Sequence, residues 1–115
     1  MSRRTEAKKV RLKWQALASV LSTHFGERFW FTYSSIQEAR EATLVGIDHK
    51  GLKQVVKEWW DWNATAGCVD DIRLPLAKIG IEIPFDTAAD ARKFANSLYD
   101  MWIIRVRDKE PGWQP

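Results

Sequence analysis

A chain of 115 residues, 45% hydrophobic and 29% charged, has the composition of one globular domain with one core, which excludes a disordered polymer. The formal charge is +3, but residues 1–13 hold Arg3, Arg4, Lys8, Lys9, Arg11 and Lys13 against Glu6 alone, a net +5, so the other 102 residues sum to −2. A basic arm on a nearly neutral body fits a polyanionic partner, because clustered Lys and Arg release counterions from phosphates; a solubilising helix start is the plainer alternative.

One cysteine, Cys68, excludes an intrachain disulfide framework and argues against a cysteine-rich zinc site. No apolar run reaches the roughly 18 residues of a membrane span, and the start lacks the apolar centre of a secretory signal. The expectation is a cytoplasmic protein with no membrane partner. Seven tryptophans are the compositional departure. Each buries a large ring and needs a partner or a surface position for its N–H.

Residues 5–25 read as helix 1, led by the basic arm 1–13. Val10, Trp14, Leu17 with Ala18, Leu21 and Phe25 recur at spacings of three and four, and Gly26 stands where a left-handed cap would fall. "ERFWFTY", residues 27–33, is an aromatic connector with strand propensity. Ser34 or Ser35 can cap the next helix, with Glu38 three residues after Ser35 as a capping box requires; that helix is expected to reach Val45. Asp48 caps a third helix, His49 to about Asn63, with Leu52, Val55, Val56, Trp59 and Trp62 as its buried stripe.

Residues 72–85, "IRLPLAKIGIEIPF", alternate in part, with Ile79, Ile81 and Ile83 on one face, and predict a small β element bounded by Pro75 and Pro84. Arg73 and Lys78 make it a candidate wing beside phosphates, though core padding fits better without a basic hairpin tip. Thr87 and Asp90 open a helix over 88–103, with Ala91, Phe94, Ala95, Leu98 and Trp102 inward, and residues 110–115 read as a loose tail. The fold class is therefore mainly α with a small β element, about four helices in a single domain over 1–109.

"EAREATLVGIDHKGLKQVVK", residues 38–57 within the helical pair 35–63, resembles the helix-turn-helix unit of phage-repressor-type DNA-binding proteins. Ala42 takes the small position of the first helix, Gly46 the turn, Ile47 the plug between the helices, and Leu52 and Val55 the buried positions of the second. Val45 also matches. Glu41 departs, occupying a place that is usually apolar; either the first helix is rotated so that Ala39 and Ala42 make the contact, or the match is accidental. The resemblance implies that Asp48, His49, Lys50, Lys53, Gln54 and Lys57 face the DNA groove. Gln54 suits an adenine edge and Lys53 guanine, with His49 and Lys50 beside them. Phosphates fall to Lys57, Arg3, Arg4, Lys8 and Lys9, with Lys50 also in reach. The plain alternative is a solvated amphipathic face.

The run "KEWWDW" places Trp59 and Trp62 on the buried stripe and Trp60 outside it. Glu58 and Asp61 beside Trp60 repel a phosphate backbone, so Trp60, with Trp30 and Trp113, is a candidate protein interface rather than a base-stacking platform. Two histidines 25 residues apart, one cysteine, the loop pair Asp70–Asp71 and no glycine-rich phosphate loop supply neither catalytic residues nor a metal or cofactor site. The sequence thus points to a non-enzymatic, double-stranded-DNA-binding regulator of phage or plasmid type. It would act as a homodimer through the 88–103 helix or exposed tryptophans. The competing reading is a protein-interaction module, either a small subunit of a nucleoprotein complex or a phage-encoded inhibitor of a host nucleic-acid-binding protein.

Overall fold

The computed structural model describes the backbone of residues 3–115 and the side chains of residues 8–115. Seven helices form among the described residues: α1 (Arg3–Lys13), α2 (Gln15–Phe25), α3 (Phe29–Thr32), α4 (Ile36–Ala42), α5 (His49–Ala64), α6 (Arg73–Ile79) and α7 (Ala88–Lys109). α2 is the central rod, packed by α4, α5 and α6, while α7 lies along α5 and α1 rests on α6. No helix among the described residues is long and apolar enough to cross a membrane.

The stripes predicted from periodicity form the core. Trp14, Leu17, Ala18, Leu21 and Phe25 are buried, as are Leu52, Val55, Val56, Trp59 and Trp62 of α5 and the expected Ala91, Phe94, Ala95, Leu98 and Trp102 of α7, with Val10 at the margin. Trp59 stacks on Trp62 with ring centroids 5.1 Å apart and meets Trp102 of α7 edge-on at 5.7 Å. The Trp102 indole N–H donates to the buried Thr43 Oγ1 at 2.9 Å, whereas the Trp62 Nε1 of the same cluster is buried without a hydrogen-bond partner. Pairs such as Trp59–Trp102 and Asn63–Arg92 run in opposite order along the two helices, which makes α5 and α7 antiparallel.

Residues 72–85 form no strand. α6 occupies 73–79 and an extended segment follows, because Ile72, Leu76 and Ile79 fall at spacings of four and three and bury together. Pro75 sits in the first turn of α6, where its missing N–H has no helical partner to lose. The alternation survives only over 81–83, where Ile81 and Ile83 turn inward, Glu82 faces out, and the Glu82 N–H donates to Phe25 O at 2.8 Å.

The single helix expected over 5–25 is two. At Trp14 the backbone leaves the helical region (φ −121°, ψ 63°), its indole donates to Asp61 Oδ2 at 2.7 Å, and the Leu17 N–H donates to Glu58 Oε1 at 3.1 Å. Glu58 thereby satisfies a backbone donor at the start of α2, and Asp61 satisfies the Trp14 indole. Gly26 is not left-handed; its φ is −79°, and it is glycine because a Cβ there would stand 2.3 Å from Ser22 O. "ERFWFTY" makes one helical turn, α3, with Phe29 buried and its neighbours facing out. Within the tail expected to be loose, residues 110–113 fold back on α5. Glu110 pairs with Lys53 and His49, and the Trp113 N–H donates to Glu110 O at 3.1 Å.

Candidate nucleic-acid interface

The corner between α4 and α5 is built from two caps and a glycine. Ser35 accepts from the Glu38 N–H, and Asp48 Oδ1 accepts from the Gly51 N–H at 2.6 Å. Between them Gly46 has φ +78°, a backbone conformation that costs a residue with Cβ. Ala39 and Thr43 are buried and Ala42 is half-buried, while Glu41 is exposed and accepts from Gln37 Nε2 at 3.1 Å. No carboxylate is buried at position 41. α4 ends at Ala42 rather than Val45, and Val45 is 77% exposed.

With one side of α5 packed on α2 and α7, the opposite side carries the polar residues. Asp48, His49, Lys50, Gly51, Lys53, Gln54 and Lys57 line one open groove of about 560 Å³, so the residues expected to face a duplex lie side by side. Lys50, Gln54 and Lys57 are exposed; His49 and Lys53 are half-covered. Gln54 Nε2 already donates to Glu58 Oε2 at 2.9 Å, leaving its carbonyl and its second N–H for a base edge.

The cover over His49 and Lys53 comes from the C-terminal segment. Glu110 Oε2 stands 2.8 Å from Lys53 Nζ and 3.4 Å from His49 Nε2. Lys53 Nζ also lies 5.6 Å from the centroid of the Trp113 ring, within cation–π range. The Glu110 side chain is 42% exposed, although its Oε2 is covered. The Lys53 ammonium, and secondarily His49, hold the Glu110 carboxyl below the usual carboxylate range against an opposing effect of burial.

Two cations missed in the sequence belong to this region. Arg105 and Lys109 border a small cleft of about 60 Å³ together with Leu44, Ile47, Asp48, His49 and Leu52. A helix over 88–103 excludes them; α7 runs to Lys109 because Val106, four residues past Trp102, is buried and prolongs the stripe. That spacing was the available signal.

The basic arm stands apart. Lys8, Lys9, Arg11 and Lys13 are exposed on α1, and Lys13 Nζ lies 4.7 Å from the Trp14 ring centroid. Lys8 and Arg11 line a different groove, about 590 Å³, with Leu12, Gln15, Ala18, Ser19 and Ser22. The side chains of Arg3 and Arg4 lie outside the described residues.

Of the three tryptophans expected at an interface, Trp30 is 65% exposed and Trp60 56% exposed, the latter tilted against Tyr99. Trp113 is half-buried, and its carbonyl accepts from Arg107 Nε at 2.9 Å, so it packs on its own chain. Sequence reading missed Phe31, which is 92% exposed beside Trp30. No family model matches the sequence, and neither a curated protein nor a solved structure is significantly similar to it.

Proposed function

We propose that this chain is a non-enzymatic DNA-binding regulator that presents the outer face of α5 to the major groove of a duplex. The observation that carries the reading is the single open groove lined by His49, Lys50, Lys53, Gln54 and Lys57 on a helix whose other side is fully engaged in the core. Its groups are nearly all hydrogen-bond donors, which suits phosphate oxygens and the acceptor-rich edge of guanine. Arg105 and Lys109, at the α5 N-terminal end, extend the positive surface toward the flanking backbone. Lys8 and Lys9 of α1, with Arg3 and Arg4, add non-specific attraction. One helix reads a short half-site, so useful specificity needs two copies of the chain.

Selection of bound duplexes from a random pool, at two salt concentrations, tests this reading. An enriched motif that disappears in the Lys53→Ala/Gln54→Ala variant, with its helical circular dichroism unchanged, is the expected result. Retention of the same motif by that variant would falsify the assignment. Binding that enriches nothing and collapses steeply with salt reduces the interaction to the basic arm.

A second reading rests on a separate observation, the adjacent exposed rings of Trp30 and Phe31 on α3. Neighbouring exposed aromatics are unusual away from interfaces, and they favour a protein-interaction module with a protein partner. Under that reading Trp30→Ala and Trp60→Ala abolish function while duplex DNA has no effect on it.

A further inference from the structure

The Glu110–Trp113 segment covers the part of α5 that the DNA-binding reading needs free. A carboxylate oxygen lies 2.8 Å from Lys53 Nζ and 3.4 Å from His49 Nε2, in the space that an acceptor oxygen of DNA would take, since both seek the same donors. The segment is held at three points. Glu110 pairs with α5, Trp113 lies beside the Lys53 ammonium, and the Trp113 carbonyl accepts from Arg107 Nε on α7. A reverse turn through Pro111 and Gly112 (φ +83°), closed by the Trp113 N–H to Glu110 O, returns the chain to the same surface.

We propose that residues 110–113 are an intramolecular latch in which the Glu110 carboxylate takes the place of a DNA acceptor on α5 and must be displaced before DNA can engage Lys53 and His49. The proposal rests on the DNA-binding reading of α5 and adds its regulation. DNA and the latch compete for one pair of side chains, so the apparent affinity is scaled by the fraction of molecules with the latch open. The coupling is reciprocal, and bound duplex must loosen Trp113 by the same factor that an open latch tightens DNA.

The test uses the full chain and a labelled random-sequence duplex. Variants are Glu110→Gln, Trp113→Ala, and Asp90→Asn as a charge control. Asp90 lies twenty residues before Glu110, about 30 Å away along the α7 axis at 1.5 Å per residue. Glu110→Gln and Trp113→Ala are expected to bind about 3- to 10-fold more tightly, with the salt dependence of Glu110→Gln steeper by about one counterion; Asp90→Asn should change affinity by less than about twofold. In the wild type, saturating duplex should shift the Trp113 indole N–H resonance toward its position in Glu110→Gln. The latch is overturned if Glu110→Gln binds no more tightly than Asp90→Asn, if it binds more weakly than wild type, or if the Trp113 signal does not move when DNA binds. Wild type and Glu110→Gln both folded, and both silent toward duplex at low salt, would overturn the α5 reading itself and the latch with it.

Discussion

The two sides of α5 were written under different rules. The inner side, Leu52, Val55, Val56, Trp59 and Trp62, is buried without exception, and each residue is replaceable only by something of like volume. The outer side, Lys50, Gln54 and Lys57 with His49 and Lys53, contributes little to the core, yet two of its members are held by a segment about sixty residues further along the chain. Spacing within one helix determines the first side. The second depends on which distant residues the fold delivers to it, so a local reading finds its residues but not its state.

The largest effect that would test this contrast is Trp59→Ala. Removing a ring that touches both Trp62 and Trp102 should cost about 3–5 kcal/mol in urea denaturation, enough to unfold a marginal domain. The double change Lys50→Ala/Lys57→Ala on the outer side should cost no more than about 0.5 kcal/mol. If the outer pair proves as costly as the tryptophan, those lysines are part of the stabilising structure and the division between the two sides fails.

Thr43→Val is the next largest. It keeps the shape but removes the acceptor of the Trp102 indole N–H in a buried site, at about 1–3 kcal/mol by the same measurement. Gly46→Ala follows at about 1 kcal/mol. No atom lies within 4 Å of the added Cβ, so this cost is set by the positive φ alone, and a neutral result would mean that the corner relaxes.

What the sequence showed and what it hid follow the same division. The apolar stripes of α2, α5 and α7 and the caps Ser35, Asp48 and Thr87 were legible, because each is a relation between residues three or four apart. The segment 72–85 was misread because Ile79, Ile81 and Ile83 mimic strand alternation, whereas Ile72, Leu76 and Ile79 carry the helical period beneath an early proline. The break at Trp14 was hidden because the groups that meet it, the Glu58 and Asp61 carboxylates, lie more than forty residues away. Glu110 on Lys53 was hidden for the same reason. The odd position of Glu41 was visible in sequence, but which α4 residues turn inward, Ala39 and Thr43, was not.

The smallest effect concerns a group that belongs to neither side. His24 on α2 is half-buried, its Nδ1 lies 2.6 Å from the Tyr33 hydroxyl, and burial lowers its pKa below 6.5. A neutral ring can accept the tyrosine proton at Nδ1; a charged ring cannot. With the folded pKa below the unfolded value, the unfolded chain takes up the proton first. Stability should therefore decline as pH falls through the unfolded histidine pKa and level off once the pH is below the folded one. The carboxylates whose pKa values are lowered, Glu38, Asp71 and Glu110, lose their contribution only at still lower pH. The thermal midpoint should fall by about 1–2 °C between about pH 7.5 and about pH 5.5, and His24→Gln should flatten that slope. An unchanged slope in His24→Gln would assign the titration to another group and leave the His24–Tyr33 contact without a part in pH-dependent stability.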